Sequence, residues 1–175
     1  VAIGGNHFIH AARRNIDLTA ILFNNFTYGR TGGQFSPTTP MGALAKTAPY
    51  GMIERSFDAC QLAVSAGATY VARTTAYHGS LTTRLIKNAI QHRGFALVEV
   101  LLQCSEIYGR YYRTGRGAEM LLWQREHAIT PSRASELSPE EKVDRFVIGE
   151  LYRAEAPEYC AEYDRLIARA QRREE

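Results

Sequence analysis

The stretch from Asn24 to Gly33, NNFTYGRTGG, places paired amides, two threonines and adjacent glycines directly after the apolar run TAILF. The side-chain carbonyl of an Asn is a hard oxygen ligand suited to Mg2+. Two residues on, Thr27 can add a backbone carbonyl from a turn. Thr31, Gly32 and Gly33 then offer a hydroxyl and backbone N–H groups with no Cβ in the way, which is the make-up of an anion cradle. Oxygen ligands beside such a cradle suggest a Mg2+–diphosphate site. An ordinary glycine-rich turn has the same spacing, and spacing alone does not separate the two. A second candidate is Cys104, at the end of another apolar run in VEVLLQCSEIYGR. A thiolate on a loop beside a cofactor is what an iron–sulfur cluster needs. A lone Cys after a strand is also a common small buried hydrophobe. Cys60 and Cys160 fall within helical patterns and read as structural.

The elements that must hold these residues alternate between helix and strand. Ala2–Arg14, with Phe8, Ile9 and Ala12 apolar and two Arg at its end, reads as a helix. Thr19–Phe23 reads as a short buried strand. Residues 24–49 form a long loop rich in Gly, Pro and Thr, and loops of that length usually carry function. Ser56–Ala66 reads as a helix capped by Ser56, with Asp58 in its first turn and Gly67 past its end. Thr69–Arg73 is a strand, Ser80–Gln91 an amphipathic helix and Gly94–Gln103 a buried strand. This alternation predicts an α/β fold, a parallel sheet flanked by helices on both faces. Ligands of such sheets sit at the carboxyl ends of the strands. The loops after Phe23, Arg73 and Gln103 should therefore share one edge.

Further on, Met120–Trp123 is a short apolar patch in a charged region. LSPEE at Leu137 has the signature of a helix start, with Ser138 as N-cap, Pro139 first and Glu141 three after the cap. Val143, Phe146, Val147 and Leu151 follow at helical spacing. A last helix follows Pro157, with Tyr159, Tyr163, Leu166 and Ile167 expected inward. Residues 131–175 are thus expected to be a helical C-terminal extension to a domain spanning 1–130.

At 175 residues and 45% hydrophobic content the chain can bury a sizeable core. A formal charge of +3 gives no reason to expect nucleic acid or a membrane surface as partner. The basic cluster at Arg165–Arg173 reads as a solvated helix face. No stretch has transmembrane length, and no secretory leader is read. Three widely spaced Cys make no disulfide framework, so a reducing cytoplasm is the expected compartment.

The segments IGGNHFIHAARRN, NNFTYGRTGGQFSPTTPMG and APYGMIERSFD occur in this order. Together they resemble the beta subunit of 2-oxoacid:ferredoxin oxidoreductases, most nearly the 2-oxoglutarate type, over residues 1–130. NN resembles the second half of the thiamine diphosphate motif, which begins with Gly-Asp-Gly. The resemblance implies a thiamine diphosphate-binding fold. It makes Asn25 the side-chain ligand and Thr27 the carbonyl ligand of Mg2+, and Thr31 and Gly32 the stretch that meets the diphosphate. It places the opening helix with its N-terminus toward the diphosphate, where Gly4 and Gly5 would allow close packing. His7 and His10, near its start, could approach the cofactor or be satisfied in the core. QCSEIYGR is similar to the family's Gln-Cys-Pro-Thr-Tyr-Phe-Gly-Arg, whose Cys binds a 4Fe–4S cluster, and Cys104 matches that position. Ser105 stands where Pro is usual and Arg30 where Met is usual. Arg30 is either a substrate-facing cation or a solvated one.

In the family, Gly-Asp-Gly and the other three cluster ligands precede the position of Val1. An upstream segment carrying them is therefore an expected partner. The other partners implied are an alpha subunit, which supplies the Glu that activates the cofactor, and ferredoxin. The reaction implied is reversible oxidative decarboxylation of a 2-oxoacid. Electrons pass through the cluster to ferredoxin, and coenzyme A takes the acyl group. Two alternatives stay open: a thiamine diphosphate enzyme without a cluster, and a degenerate structural subunit.

Overall fold

The computed structural model describes residues 1–102, 104–112 and 116–172, with Tyr111 and Tyr112 described by backbone only. Gln103, the expected end of one strand, and Arg173, the end of the basic cluster, lie outside these residues. The elements, in chain order, begin with α1 (Gly5–Arg13), β1 (Leu18–Asn24), β2 (Thr27–Tyr28), β3 (Gln34–Phe35) and α2 (Ala59–Ala66). Next come β4 (Tyr70–Thr75), α3 (Gly79–Gln91), β5 (Phe95–Leu101), α4 (Tyr108–Tyr112) and α5 (Gly117–His127). The chain continues with β6 (Ala128–Ile129), α6 (Pro131–Glu136), β7 (Phe146–Val147), β8 (Gly149–Arg153) and α7 (Tyr159–Gln171).

The main sheet has the order β1-β5-β4-β8. β1, β5 and β4 are parallel, and Asn24, Leu101 and Thr75 lie in register. Their carboxyl ends therefore share one edge, as the sequence pattern requires. The central strand β5 is buried along its whole length. Its alternate residues serve opposite faces, following the two-residue period of a strand. Phe95 and Leu97 meet Phe8 and Ala12 of α1 and Ala59, Cys60 and Ala63 of α2. Ala96, Val98 and Val100 meet Leu85 and Ala89 of α3 on the other side. Burying a side chain such as Phe95 or Leu97 contributes about 1.5–3 kcal/mol.

Several expectations are corrected. β1 is apolar but not buried: among the described residues it is an edge strand paired to β5 alone, with Phe23 62% exposed. In α1, Phe8 and Ala12 are buried while Ile9 is not. α2 begins at Ala59, and its N-cap is Asp58, whose carboxylate accepts the Gln61 N–H at 2.9 Å. Ser56 instead donates to the Thr39 carbonyl at 2.9 Å, tying the long loop to the helix entry. Gly67 ends α2 in the left-handed conformation, φ 100°. The patch Met120–Trp123 lies inside helix α5, which buries Met120.

The largest correction is after Leu137. The capping box forms: Ser138 N–H donates to Glu141 at 2.9 Å and Glu141 N–H to the Ser138 hydroxyl at 3.3 Å. It caps only a turn, which ends at Asp144 with φ 60°. The helix expected through Leu151 is replaced by β7 and β8. β8 pairs antiparallel with β4, so the segment after residue 130 adds a strand to the main sheet. α7 forms as expected, but its apolar face is not inward: Tyr159, Tyr163, Leu166 and Ile167 are 41–52% exposed.

Candidate functional site

β1 ends at the shared carboxyl edge with Asn24 turned inward and 6% exposed. The next three residues form a tight turn, in which Phe26 has φ 61°. A bulky residue in that region costs about 1–3 kcal/mol and persists only where its surroundings hold it. Phe26 is held twice. Its N–H donates to Asn24 Oδ1 at 3.1 Å, and its carbonyl accepts the Thr39 hydroxyl at 2.6 Å. On either side of it stand Asn25, half-buried, and Thr27, buried. Among the described residues the Asn25 amide oxygen is engaged only by the Thr27 N–H at 3.4 Å, a weak contact that a cation could displace.

The turn then runs through Gly29 into the hairpin of β2 and β3. Gly32 and Gly33 have φ 117° and 94°, so both glycines are required by the backbone. Their N–H groups donate to Gly29 and Tyr28 carbonyls at 3.1 and 3.0 Å and close the turn. The Thr31 hydroxyl donates to Gln34 Oε1 at 2.6 Å. These donors are therefore engaged within the turn rather than held open as a cradle. A cation not singled out from the sequence lies here: Lys46 Nζ is 3.5 Å from where a Cβ on Gly32 would sit. Fourteen residues separate the two, and only the folding back of the loop joins them. Lys46 and Arg30 are both exposed.

Cys104 comes to the same place from the other strand end. A Cβ on Gly29 would lie 3.7 Å from Asn25 Nδ2 and 3.8 Å from Cys104 Sγ. The structure thus brings Asn25, Thr27 and Cys104 together around one glycine, although 79 positions separate Asn25 from Cys104. Cys104 is half-buried against a cluster containing Ala43, Tyr108 and Met120, and its carbonyl accepts the Gly109 N–H at 2.8 Å. Among the described residues, no group of three or more His, Cys, Asp or Glu could hold a metal ion, so Cys104 offers a single thiol. Among the described residues, a Cβ on Gly4 or Gly5 of the α1 entry would meet no atom within 4 Å. His7 and His10 are exposed, not core residues.

Beside the turn opens a cleft of about 460 Å3. Phe26, Phe57, Leu101 and Trp123 line its walls, and Asn24, Asp58, Arg73 and Glu99 form a charged end. Arg73 Nε donates to Glu99 at 2.6 Å and its terminal nitrogen to Asp58 at 2.8 Å. Burial alone would raise the Asp58 carboxyl, but Arg73 and the Gln61 N–H hold it below its ordinary value. Burial pushes the Cys60 thiol far up, against the pull of Arg73 and with the push of Glu99 and Asp58. Cys60 is thus a fixed S–H donor, to Glu99 at 3.4 Å, in keeping with a structural role. Sequence reading missed this network because Arg73 and Glu99 sit singly within strands and Asp58 read only as a helix-start residue. The one signal was a Glu interrupting the apolar run FALVEVL.

The parallel sheet, with loop chemistry gathered at its carboxyl edge, defines a cofactor-binding domain of the thiamine diphosphate type. Residues 1–100 match the family described as thiamine pyrophosphate enzyme, C-terminal TPP binding domain, and the chain belongs to that family. Among its relatives is the 2-oxoglutarate synthase subunit KorB of Methanocaldococcus jannaschii. It is 51% identical over 166 residues, covering 95% of this chain and 62% of the relative. The subunit of the same name from Archaeoglobus fulgidus is 62% identical over 104 residues, covering 59% of this chain and 39% of the relative. A solved structure of 2-oxoglutarate:ferredoxin oxidoreductase from Magnetococcus marinus, with 2-oxoglutarate, coenzyme A and succinyl-CoA bound, superposes with TM-score 0.81 at 30% identity. That match covers 97% of this chain and 58% of the solved one. The chain spans less than two thirds of the length of each of these proteins.

Proposed function

We propose that the chain acts within the beta subunit of a 2-oxoacid:ferredoxin oxidoreductase whose substrate is 2-oxoglutarate. The observation that carries this reading is the meeting of the Asn25 turn with the Cys104 thiol across Gly29. A thiol beside the metal turn is the group through which an iron–sulfur cluster would be held next to a thiamine site. The donor set fits the group: a half-free amide oxygen, a neighbouring turn and the cation of Lys46. Asn25 Oδ1 and the Thr27 carbonyl would bind Mg2+. Thr31 and Gly32 would shape the wall against the diphosphate, with Lys46 supplying the positive charge. Cys104 would be one of four thiolate ligands of a 4Fe–4S cluster. Arg30, which is exposed, would face the distal carboxylate of the substrate. Thiamine diphosphate, when bound, supplies the electron sink for decarboxylation.

In the same reading residues 1–130 complete a cofactor domain begun by an upstream segment with Gly-Asp-Gly, and residues 131–175 extend it. The working unit includes an alpha subunit, and its co-substrates are coenzyme A and ferredoxin, in the cytoplasm. Among the described residues no helix is long and apolar enough to cross a membrane. The test is a determination of bound thiamine and iron on the purified complex, with Asn25→Ala alongside. Thiamine and about four irons per beta subunit are expected, and Asn25→Ala should lose the thiamine while remaining folded. Thiamine without iron would make the chain a cluster-free enzyme, and neither would make it a structural subunit.

A further inference from the structure

We propose that Glu99, acting through Asn24, is the positioning residue for the metal-ligand turn at Asn25–Thr27. This rests on the Mg2+–diphosphate reading of that turn. Glu99 lies in the middle of the central strand and is 2% exposed, at a position whose face otherwise carries Phe95 and Leu97. A buried ion pair is seldom more stable than a well-packed apolar pair, so stability alone does not account for Glu99 and Arg73 here. Both Glu99 oxygens are committed. Oε2 accepts from Arg73 Nε at 2.6 Å and from the Cys60 thiol, while Oε1 accepts from Asn24 Nδ2 at 2.9 Å.

That last bond fixes which way the Asn24 amide points. Only its nitrogen can face a carboxylate that Arg73 already holds in place. Asn24 Oδ1 is thereby aimed at the turn. It accepts the Phe26 N–H at 3.1 Å and the Thr38 hydroxyl at 2.8 Å. Phe26 is the left-handed residue between the two ligands, φ 61°. Its conformation is therefore enforced from the strand below, through Arg73, Glu99 and Asn24, and from the loop above, through Thr38 and Thr39. A residue that merely neutralised Arg73 would not need a second oxygen trained on the strand end next to Asn25. Fixing the angle between an amide oxygen and a backbone carbonyl matters for Mg2+, which demands near-octahedral geometry, and matters less for Ca2+, which tolerates irregular shells.

The experiment titrates Mg2+ and Ca2+ into the assembled alpha–beta complex and follows thiamine diphosphate binding directly by calorimetry. Glu99→Gln sets an amide N–H against either Arg73 or the Asn24 amide, and Thr38→Val removes the hydroxyl at constant shape. Both should raise the Mg2+ concentration for half-saturation about tenfold or more, the usual effect of removing a group that orients a ligand. Both should also narrow the preference for Mg2+ over Ca2+, which a general loss of stability would leave alone. Thr38→Ser should restore most of the loss. Should Glu99→Gln prevent folding, the Thr38 pair decides. Wild-type half-saturation and an unchanged Mg2+/Ca2+ preference in these variants, with binding abolished in Asn25→Ala, would overturn the clamp and leave the site standing. Binding unaffected by Asn25→Ala would remove the metal turn and the clamp with it.

Discussion

Cys104 and Cys60 are both cysteines next to charged loops, and their surroundings send them to opposite uses. Cys60 is buried under Arg73 and Glu99, its thiol is pushed far up, and it serves as a hydrogen-bond donor. Cys104 is half-buried at the strand end, with Gly29 close over its sulfur. Gly29 has no side chain to shield that face. Replacing Cys104 by Ala removes one small atom from a partly open position, so the fold should survive. The expected outcome is a complex that keeps its thiamine, loses or degrades its iron, and no longer reduces ferredoxin. Decarboxylation without electron transfer needs only the thiamine and should persist. Iron-to-protein ratio and the visible absorption of the cluster check this. Full iron content with normal ferredoxin reduction would make Cys104 a packing residue.

β5 and α3 were legible as elements because their period and their burial agree, and the α2 stop was legible because only Gly easily adopts the φ of Gly67. The turn after Asn24 was legible as a candidate only: amide oxygens and glycines after a strand could hold Mg2+ and a diphosphate, but the same spacing fits an ordinary glycine-rich turn. Two things were hidden. The capping box at Ser138 looked like a helix because the local signal was real, but FVIGELY carries β-branched and aromatic residues that find a free strand edge at β4. The other hidden feature is Asn15, which has φ 51° and lies 5% exposed at the end of α1. Its amide oxygen accepts from Phe95 N–H and the Thr69 hydroxyl, each at 2.8 Å, and its nitrogen donates to Ala156 and Pro157 carbonyls at 3.2 and 3.1 Å. One side chain thus joins α1, the start of β5, the start of β4 and the linker into α7, partners up to 142 positions away. Nothing local announces this. Asn15→Ala strands several polar groups and places a Cβ-bearing residue without a compensating amide at positive φ. It should cost about 2–4 kcal/mol. Urea denaturation should show a lower midpoint at unchanged slope, and Asn15→Gly should recover only the smaller, backbone part.

The joint tied by Asn15 also sets how the whole molecule responds to acid. His92 closes α3 and its Nε2 lies 2.7 Å from the Thr69 hydroxyl, which in turn donates to Asn15. Burial lowers the His92 pKa below its ordinary 6.5, and Arg153 lowers it further, against the weaker upward pull of Asp17, Glu150 and Glu155. Burial lowers His78 as well, beside the Thr75 hydroxyl. A histidine depressed in the fold takes up its proton more readily in the unfolded chain. The stability it contributes is therefore present above 6.5 and is lost as the pH falls below that value toward the depressed one. The carboxylates held down in the fold, Asp58 and Glu158, act in the same direction but at lower pH, around and below their ordinary values of 3.8 and 4.5. Acid loss should thus come in two stages, histidines first. Thermal melts from about pH 7.5 to about pH 5.5 isolate the first stage, since carboxylates remain charged there. The melting temperature should fall across that window, and His92→Gln, which keeps a group able to bond Thr69 but cannot take a proton, should flatten the fall. An equal slope in wild type and His92→Gln would place the acid sensitivity elsewhere in the chain.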